Sequence, residues 1–353
     1  MGRTMSEFLI YGASGYTGAL CAEHAVALGL RPILAGRSRA KLRPLADRLG
    51  LEARAFPLDD PARLAQGIAG AAAVLHAAGP FSATAMPMAQ ACLQAGVHYL
   101  DIAGEIDVFK ALANLDDRAK AAGVMLLPGA GFDVVPSDCL AAHMKARMPD
   151  AVRLRLSIGG FGSVSRGTAK TMAEGLAYGT RVRRGGRIVE LPSPPRASAD
   201  FGTGPRPTVA LSWGDVATAW HSTGIPDISV FFQASPALAR GAAMPALVRR
   251  LLASGPAQRL IARGIERRLP PGPSPEQRAR GRSLFLGEAW NAAGTRIATR
   301  METPEGYTLT ARTAVEIARR AAYEDAVAGF QTPATAYGAD SALRFEGVSR
   351  TDL

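Results

Sequence analysis

The chain of 353 residues is poor in cysteine, histidine and aromatic residues, and it has no long apolar run. Cys21, Cys92 and Cys139 stand far apart and are odd in number, which excludes a disulfide framework and fits a reducing, cytoplasmic setting. Each reads as a small buried apolar residue. His24, His76, His98, His143 and His221 show no close ligand spacing, so no metal centre is expected. Phe, Trp and Tyr make up only 6% of the chain and do not interleave with its arginines, which argues against a nucleic-acid surface. No stretch approaches the roughly 18–20 apolar residues that span a bilayer. Residues 1–7 lead straight into a short strand, without the plan of a signal peptide. Nucleophile elbows, Walker loops and internal repeats are missing too.

What remains is a chain with 48% hydrophobic residues, enough for a sizeable core, and a length that implies two domains or one with a large insertion. Its charge is uneven. Residues 1–150 hold 14 Lys and Arg against 14 Asp and Glu, so the rest of the chain carries the whole excess of +11. The densest run lies between Arg240 and Arg282, with Arg249, Arg250, Arg259, Arg263, Arg267, Arg268, Arg278 and Arg280 inside it. Such a run serves an acidic partner, such as an acidic carrier protein or an anionic membrane, or is simply a solvated helix face.

The first half is organised around Leu9-Ile10-Tyr11-Gly12-Ala13-Ser14-Gly15-Tyr16-Thr17-Gly18. A short apolar strand ends in three glycines spaced three apart, and an Ala/Leu-rich helix follows over 16–28. That is the opening of a dinucleotide-binding βαβ unit. Gly12 allows the tight turn, Gly15 lets the backbone approach a pyrophosphate, and Gly18 lets the helix pack close to the sheet. The phosphates then meet amides at the positive end of the helix. An NAD-selective site places Asp or Glu about 20 residues past the glycines. This chain has Gly36-Arg37-Ser38, with Lys41 just beyond, and no carboxylate. Arg37 can stack on adenine and fork onto a 2′-phosphate, and Ser38 can donate to the same phosphate while capping the next helix. The cofactor expected is therefore NADP.

Further strands are expected over 51–56, 72–77, 97–101 and 124–127, with helices over 84–95 and 107–122. In doubly wound sheets the ligand lies beyond the strand C-termini. Asp59, after the third strand, either accepts from the adenine amino group or caps the helix at Pro61. Ala78-Gly79-Pro80-Phe81 follows the fourth strand, where a Gly-Pro turn fits between cofactor ribose and substrate. Asp101 and Glu105 follow the fifth, and Gly131-Phe132-Asp133 with Pro136-Ser137-Asp138 the sixth. Asp101, Glu105 and Asp133 form the only compact set of proton donors for a hydride-transfer reaction, provided burial raises their pKa. Ser137 and Asp138 read as caps of a helix over 139–148.

Taken in order, Gly12–Gly18, Ala35-Gly36-Arg37-Ser38, Ala78-Gly79-Pro80-Phe81, Tyr99-Leu100-Asp101 with Gly104-Glu105, and Gly131-Phe132-Asp133 with Pro136-Ser137-Asp138 resemble the saccharopine dehydrogenase-like oxidoreductases, a grouping that includes trans-acting enoyl reductases. The resemblance spans roughly residues 8–175. It implies an α/β fold: a Rossmann-type doubly wound parallel sheet binding NADP(H), over residues 1–135, and a second α+β domain for substrate and dimerisation, over 136–330. The tail 331–353 is expected to return to the first domain.

The second half is less distinctive. A half-exposed strand is expected over 152–158 and a glycine-rich loop with Arg166 and Lys170 before a helix from 169. Strands are expected over 186–191, 208–213 and 227–233. The Pro/Ser/Gly-rich stretch 192–207 reads as a long loop or lid. Trp213, Trp220, His221 and Phe231 line an apolar pocket or belong to core and sheet edges. Two helical segments over 237–268, a stiff linker at 270–275, a hairpin over 284–302 and a long helix from 306 to 327 complete the chain. The function expected is NADP(H)-dependent hydride transfer to or from a C=N or C=C substrate. The alternatives are a trans-acting enoyl reductase on a carrier- or CoA-bound acyl chain, or a non-catalytic NADPH-binding sensor.

Overall fold

The computed structural model describes residues 8–353 apart from 161, 163, 176–178, 236–243, 246, 247, 249, 250 and 253. It forms two compact units, each discontinuous in sequence: residues up to 135 with 307–336, and 136–306 with 337–353.

In the first unit, strands β1 (Phe8–Tyr11), β2 (Ile33–Gly36), β3 (Ala53–Ala55), β4 (Ala73–His76), β5 (His98–Asp101) and β6 (Met125–Leu127) alternate with helices. These are α1 (Tyr16–Ala27), α2 (Arg39–Leu49), α3 (Pro61–Ile68), α4 (Phe81–Ala95), α5 (Ile106–Ala113) and α6 (Asp116–Ala121). The sheet is parallel, in the order Gly329–Phe330, β6, β5, β4, β1, β2, β3. Strand order reverses at β1, so the crevice beside its C-terminal end is the ligand position of a doubly wound sheet. Strands β1, β2 and β4 are buried along their whole length, as expected when helices cover both faces. Helices α2 and α4 stop where Gly50 and Gly96 turn left-handed. The single helix expected over 107–122 is two, because the chain bends at Asn114-Leu115 to bury Leu115 in the core.

The domain assignment differs from the one expected. Residues 307–336 complete the first unit, and 337–353 belong to the second. The helix Gly306–Tyr323 buries Leu309, Ala314, Val315 and Ala318, and it ends short of Val327. The strand Gly329–Phe330 then extends the sheet beside β6, and the Phe330 amide donates to Asp116 Oδ1 at 2.8 Å. The amphipathic pattern shows that this helix is buried on one side but not against which core.

The second unit begins with helix α7 (Val135–Arg147) and strand β7 (Ala151–Gly159). Strands β8 (Thr180–Arg184), β9 (Arg187–Leu191), β10 (Arg196–Asp200), β11 (Pro205–Ala210), β12 (Asp227–Gln233), β13 (Arg282–Asn291) and β14 (Arg296–Pro304) follow. They form a mixed sheet ordered β10, β11, β12, β7, β13, β14, Ser349–Asp352, with β8 and β9 branching from β12. Gly287 sits under Leu140 and Met144 of α7, where a Cβ would come within 3.0–3.1 Å of both. The stretch 192–207 is not a lid. It contains most of the β10–β11 hairpin, and Ala199 and Phe201 pack on Leu286 and Ala298. Its prolines and serines hide the strand signal because the strands are short and half-exposed.

Candidate active site

The first unit builds its site from the glycine turn outward. After the buried Phe8-Leu9-Ile10-Tyr11, Gly12 adopts φ +90°. A side chain there would place Cβ 2.8 Å from the Ala77–Ala78 backbone, and one on Gly18 would lie 2.3 Å from the Gly12 carbonyl oxygen. Both positions therefore exclude a Cβ. The amides of Gly12 and Ala13 donate to the Ala35 carbonyl at 2.8 and 3.2 Å, and Gly15 N donates to Gly12 O at 2.9 Å. Ser14 and Gly15 are exposed. Helix α1 has glycine at its cap, no capping side chain and no acidic residue in its first turn. Its positive end is left for an anion, and the side-chain-free cradle fits a dinucleotide phosphate.

Arg37 is exposed at the end of β2. Ser38 occupies the cap position of α2, yet its side chain makes no capping bond, so the hydroxyl is not spent on the helix. Lys41 is exposed in the first turn of α2. After β3, Asp60 rather than Asp59 caps α3, accepting from Arg63 N at 3.1 Å, and Asp59 stays exposed. Burial pushes the Tyr11 hydroxyl up to about 12, with Arg37 and Asp59 both close enough to act on it electrostatically. The three strand ends thus bring Arg37 and Asp59 to one edge. At the end of β4, the Gly79–Pro80 peptide is cis, Thr84 Oγ1 donates to the carbonyls of Ala78 and Pro80 at 2.8 and 3.0 Å, and Phe81 is buried.

The carboxylates divide by environment. Asp101 is fully buried and accepts from the Tyr99 hydroxyl at 2.7 Å and from the amides of Ala103 and Gly129 at 2.9 and 3.0 Å. It clasps the turn after β5 to the turn after β6. Desolvation still raises its pKa to about 6 against those three bonds. Glu105 and Asp133 flank Gly104. The Gly104 amide donates to Glu105 Oε2 at 2.8 Å, and a Cβ on Gly104 would lie 2.9 Å from Asp133 Oδ2. Glu105 Oε1 is buried and has no hydrogen-bond partner among the described residues. Burial raises both groups to about 7, and the charges of Asp101 and Asp133 add to the effect on Glu105. Asp133 keeps part of its surface accessible.

Thr310, Thr313 and His76 carry no sequence signal, whereas Tyr307, at the start of the C-terminal helix, is expected to face the nicotinamide end of the cleft. Thr310 Oγ1 accepts from the Phe132 amide at 3.0 Å, and Thr313 Oγ1 donates to Ala130 O at 2.8 Å, so the C-terminal helix pins the Asp133 loop. The Tyr307 ring meets Tyr16 edge-on at 5.2 Å, beside the glycine turn. His76 is fully buried against Tyr11, Phe81 and Tyr99, and among the described residues neither ring nitrogen has a partner. Desolvation lowers its pKa to about 3, so it is neutral. Among the described residues, no His/Cys/Asp/Glu group could hold a metal ion.

Other candidates lie in the second unit. Asp138 is inside the first turn of α7, with a hydrogen bond from the Ser222 hydroxyl, so it is not a helix cap. Arg166 donates to Leu269 O at 2.8 Å and Lys170 to Glu266 at 2.6 Å. Both tie α8 (Arg166–Gly175) to the helix Gly255–Arg268 and to Leu269 just after it. Trp213 packs on Phe232, and Trp220 lies under Arg183. Arg240, Arg249 and Arg250 lie outside the described residues.

Residues 8–127 match the family model described as the saccharopine dehydrogenase NADP binding domain. Curated relatives named trans-acting enoyl reductase include one from Mycobacterium ulcerans, 33% identical over 149 residues, covering 40% of this chain and 36% of the relative. Another, from Mycobacterium tuberculosis, is 35% identical over 140 residues, covering 37% and 34%. The chain thus spans about a third of the length of these relatives. Among solved structures, apo saccharopine dehydrogenase (L-Glu forming) from Saccharomyces cerevisiae matches with a TM-score of 0.64 at 12% identity, covering 99% of this chain and 100% of that one. The two share a fold.

Proposed function

We propose that this chain, whose residues 8–127 are a saccharopine dehydrogenase-type NADP-binding domain, is an NADP(H)-dependent oxidoreductase acting on a C=N or C=C bond. The observation that carries the reading is the pair of raised carboxyls, Glu105 and Asp133, in the same unit as the side-chain-free phosphate turn. When bound, NADPH supplies the hydride. The chain's own residues do the rest. The α1 N-terminus and the Gly12–Gly18 turn receive the pyrophosphate, and Arg37 with Ser38 receives the 2′-phosphate. Asp133 holds a proton near neutral pH and gives it from its carboxyl oxygen to the substrate atom that does not receive hydride. The C=X bond is thereby reduced to HC–XH, and water reprotonates Asp133. Asp101 is a positioning residue, because its oxygens are occupied by Tyr99 and two amides.

A second reading, reduction of an enoyl group on a carrier-bound acyl chain, is supported by the names of the curated relatives. It also draws on the arginine-rich helix Gly255–Arg268, where Arg259, Arg263, Arg267 and Arg268 are exposed, as is Leu260. That face suits an acidic carrier protein. The test is NADPH consumption by the full chain with an enoyl thioester, free or carrier-bound, and with imines formed from an amino acid and a 2-oxo acid. Turnover with one class selects between the readings. NADPH binding without turnover on either would sink both in favour of a non-catalytic NADPH-binding protein.

A further inference from the structure

A cavity of about 600 Å³ lies wholly within the second unit, on the sheet face that the β10–β11 hairpin partly covers. That size suits a small organic molecule. Its charged wall is prearranged. Glu288, 1% exposed, accepts from Arg155 Nε at 2.6 Å through one oxygen and from Arg296 Nε at 2.9 Å through the other. The Nη2 atoms of both arginines add ion pairs to the same carboxylate. Two guanidinium groups thus share a single carboxylate, so this cluster by itself carries one positive charge; Leu353, with its main-chain carboxylate, also lines the cavity. Arg300, also on the wall, is balanced by Asp200 at 2.9 Å and adds no surplus. Arg153 lies outside the lining and stacks 4.1 Å over the Trp290 ring.

Each clamped arginine uses only the Nε–Nη2 edge. Among the described residues, neither Nη1 has a protein partner. Keeping two guanidinium groups beside a buried carboxylate carries a desolvation cost, which an added anion would offset. Leu286, Pro205 and Trp290 supply an apolar wall next to this head group.

We propose that the cavity binds a small organic carboxylate, its head between the Nη1 ends of Arg155 and Arg296 and its apolar body against Leu286 and Trp290. Planar guanidinium groups match a planar carboxylate, and Glu288 fixes their orientation before the ligand arrives. The single positive charge of the Arg155–Glu288–Arg296 cluster suits a singly charged anion rather than a phosphate dianion. The aliphatic and aromatic wall selects for a body that inorganic phosphate lacks.

Calorimetric titration of the full chain with phenylacetate, its uncharged counterpart phenylacetamide, and inorganic phosphate tests the inference. Phenylacetate is expected to bind saturably, with phenylacetamide and phosphate each at least about 10-fold weaker. Arg296→Gln alters a side chain that is 51% exposed and is expected to weaken phenylacetate about 10-fold while leaving phenylacetamide unchanged. Arg296→Lys keeps the charge without the fork and is expected to fall between; it decides the matter if Arg296→Gln does not fold. No saturable binding, equal affinity for phenylacetamide or phosphate, or variants that titrate like the parent chain would overturn the proposal.

Discussion

At the scale of single residues, burial sets the pH behaviour in two opposite directions. The Asp133 carboxyl is raised from 3.8 to about 7 by desolvation. A folded-state value above the unfolded one means that the stabilisation is fully present below about pH 4 and lost as pH rises through 7. Asp133→Asn should therefore stabilise the protein at pH 8, on the order of 2 kcal/mol, the figure being reduced for the partial accessibility of the group. The same variant should lower the reduction rate about 100-fold or more and remove its decline above pH 7. Melting curves and pH–rate profiles measure the two effects, and an unchanged rate would rule Asp133 out as the proton donor. His76 acts the other way, its pKa lowered from 6.5 to about 3. The unfolded chain binds the additional proton, so stability falls as pH drops below 6.5. His76→Phe should abolish that loss, worth about 2 kcal/mol at pH 5, as read from denaturant midpoints. Arg37→Ala should raise the Kd for NADPH about 10- to 100-fold and that for NADH by much less, since only the adenine stacking is lost there, by fluorescence titration.

At the scale of elements, close approach governs the strand–turn–helix opening. Gly18→Ala would drive a Cβ into the Gly12 carbonyl, so α1 must lift from β1. The expected result is a loss of about 2 kcal/mol in stability, together with NADPH affinity, measurable on one sample by melting with and without cofactor. This turn was legible in the sequence because glycine spacing reports backbone geometry directly. The strand ends at Arg37, Asp101 and Asp133 were legible for a related reason: buried parallel strands read as apolar runs with polar residues just past them. The partition of labour among the carboxylates was not legible. Asp101 and Asp133 are the same residue type at equivalent places, and only the Tyr99 hydroxyl and two amides show that Asp101 is already engaged. The β10–β11 hairpin was hidden for want of alternation, and Thr310 and Thr313 for want of any local pattern, since they bond residues 178 and 183 positions away.

At the scale of the whole molecule, the first unit takes elements from both ends of the sequence. Residues 8–135 alone lack the helix Gly306–Tyr323, and with it the threonines that hold the Asp133 loop. Expressed alone, they should show poor cooperativity in thermal unfolding and weak NADPH binding. Joining residues 307–336 to them through a flexible linker should restore both; no improvement would count against the unit as drawn. The change near residue 135 could be read from the strand-end motifs, but the return of 307–336 could not, because an amphipathic helix does not name the core it serves. The same discontinuity imposes an order on synthesis. The ribosome makes residues 136–306 before it reaches the helix that carries Thr310 and Thr313, so an emerging chain has its glycine turn long before its Asp133 loop is pinned. Nascent chains halted before residue 307 should be cleaved readily by protease near Asp133, and chains extended past 336 should resist.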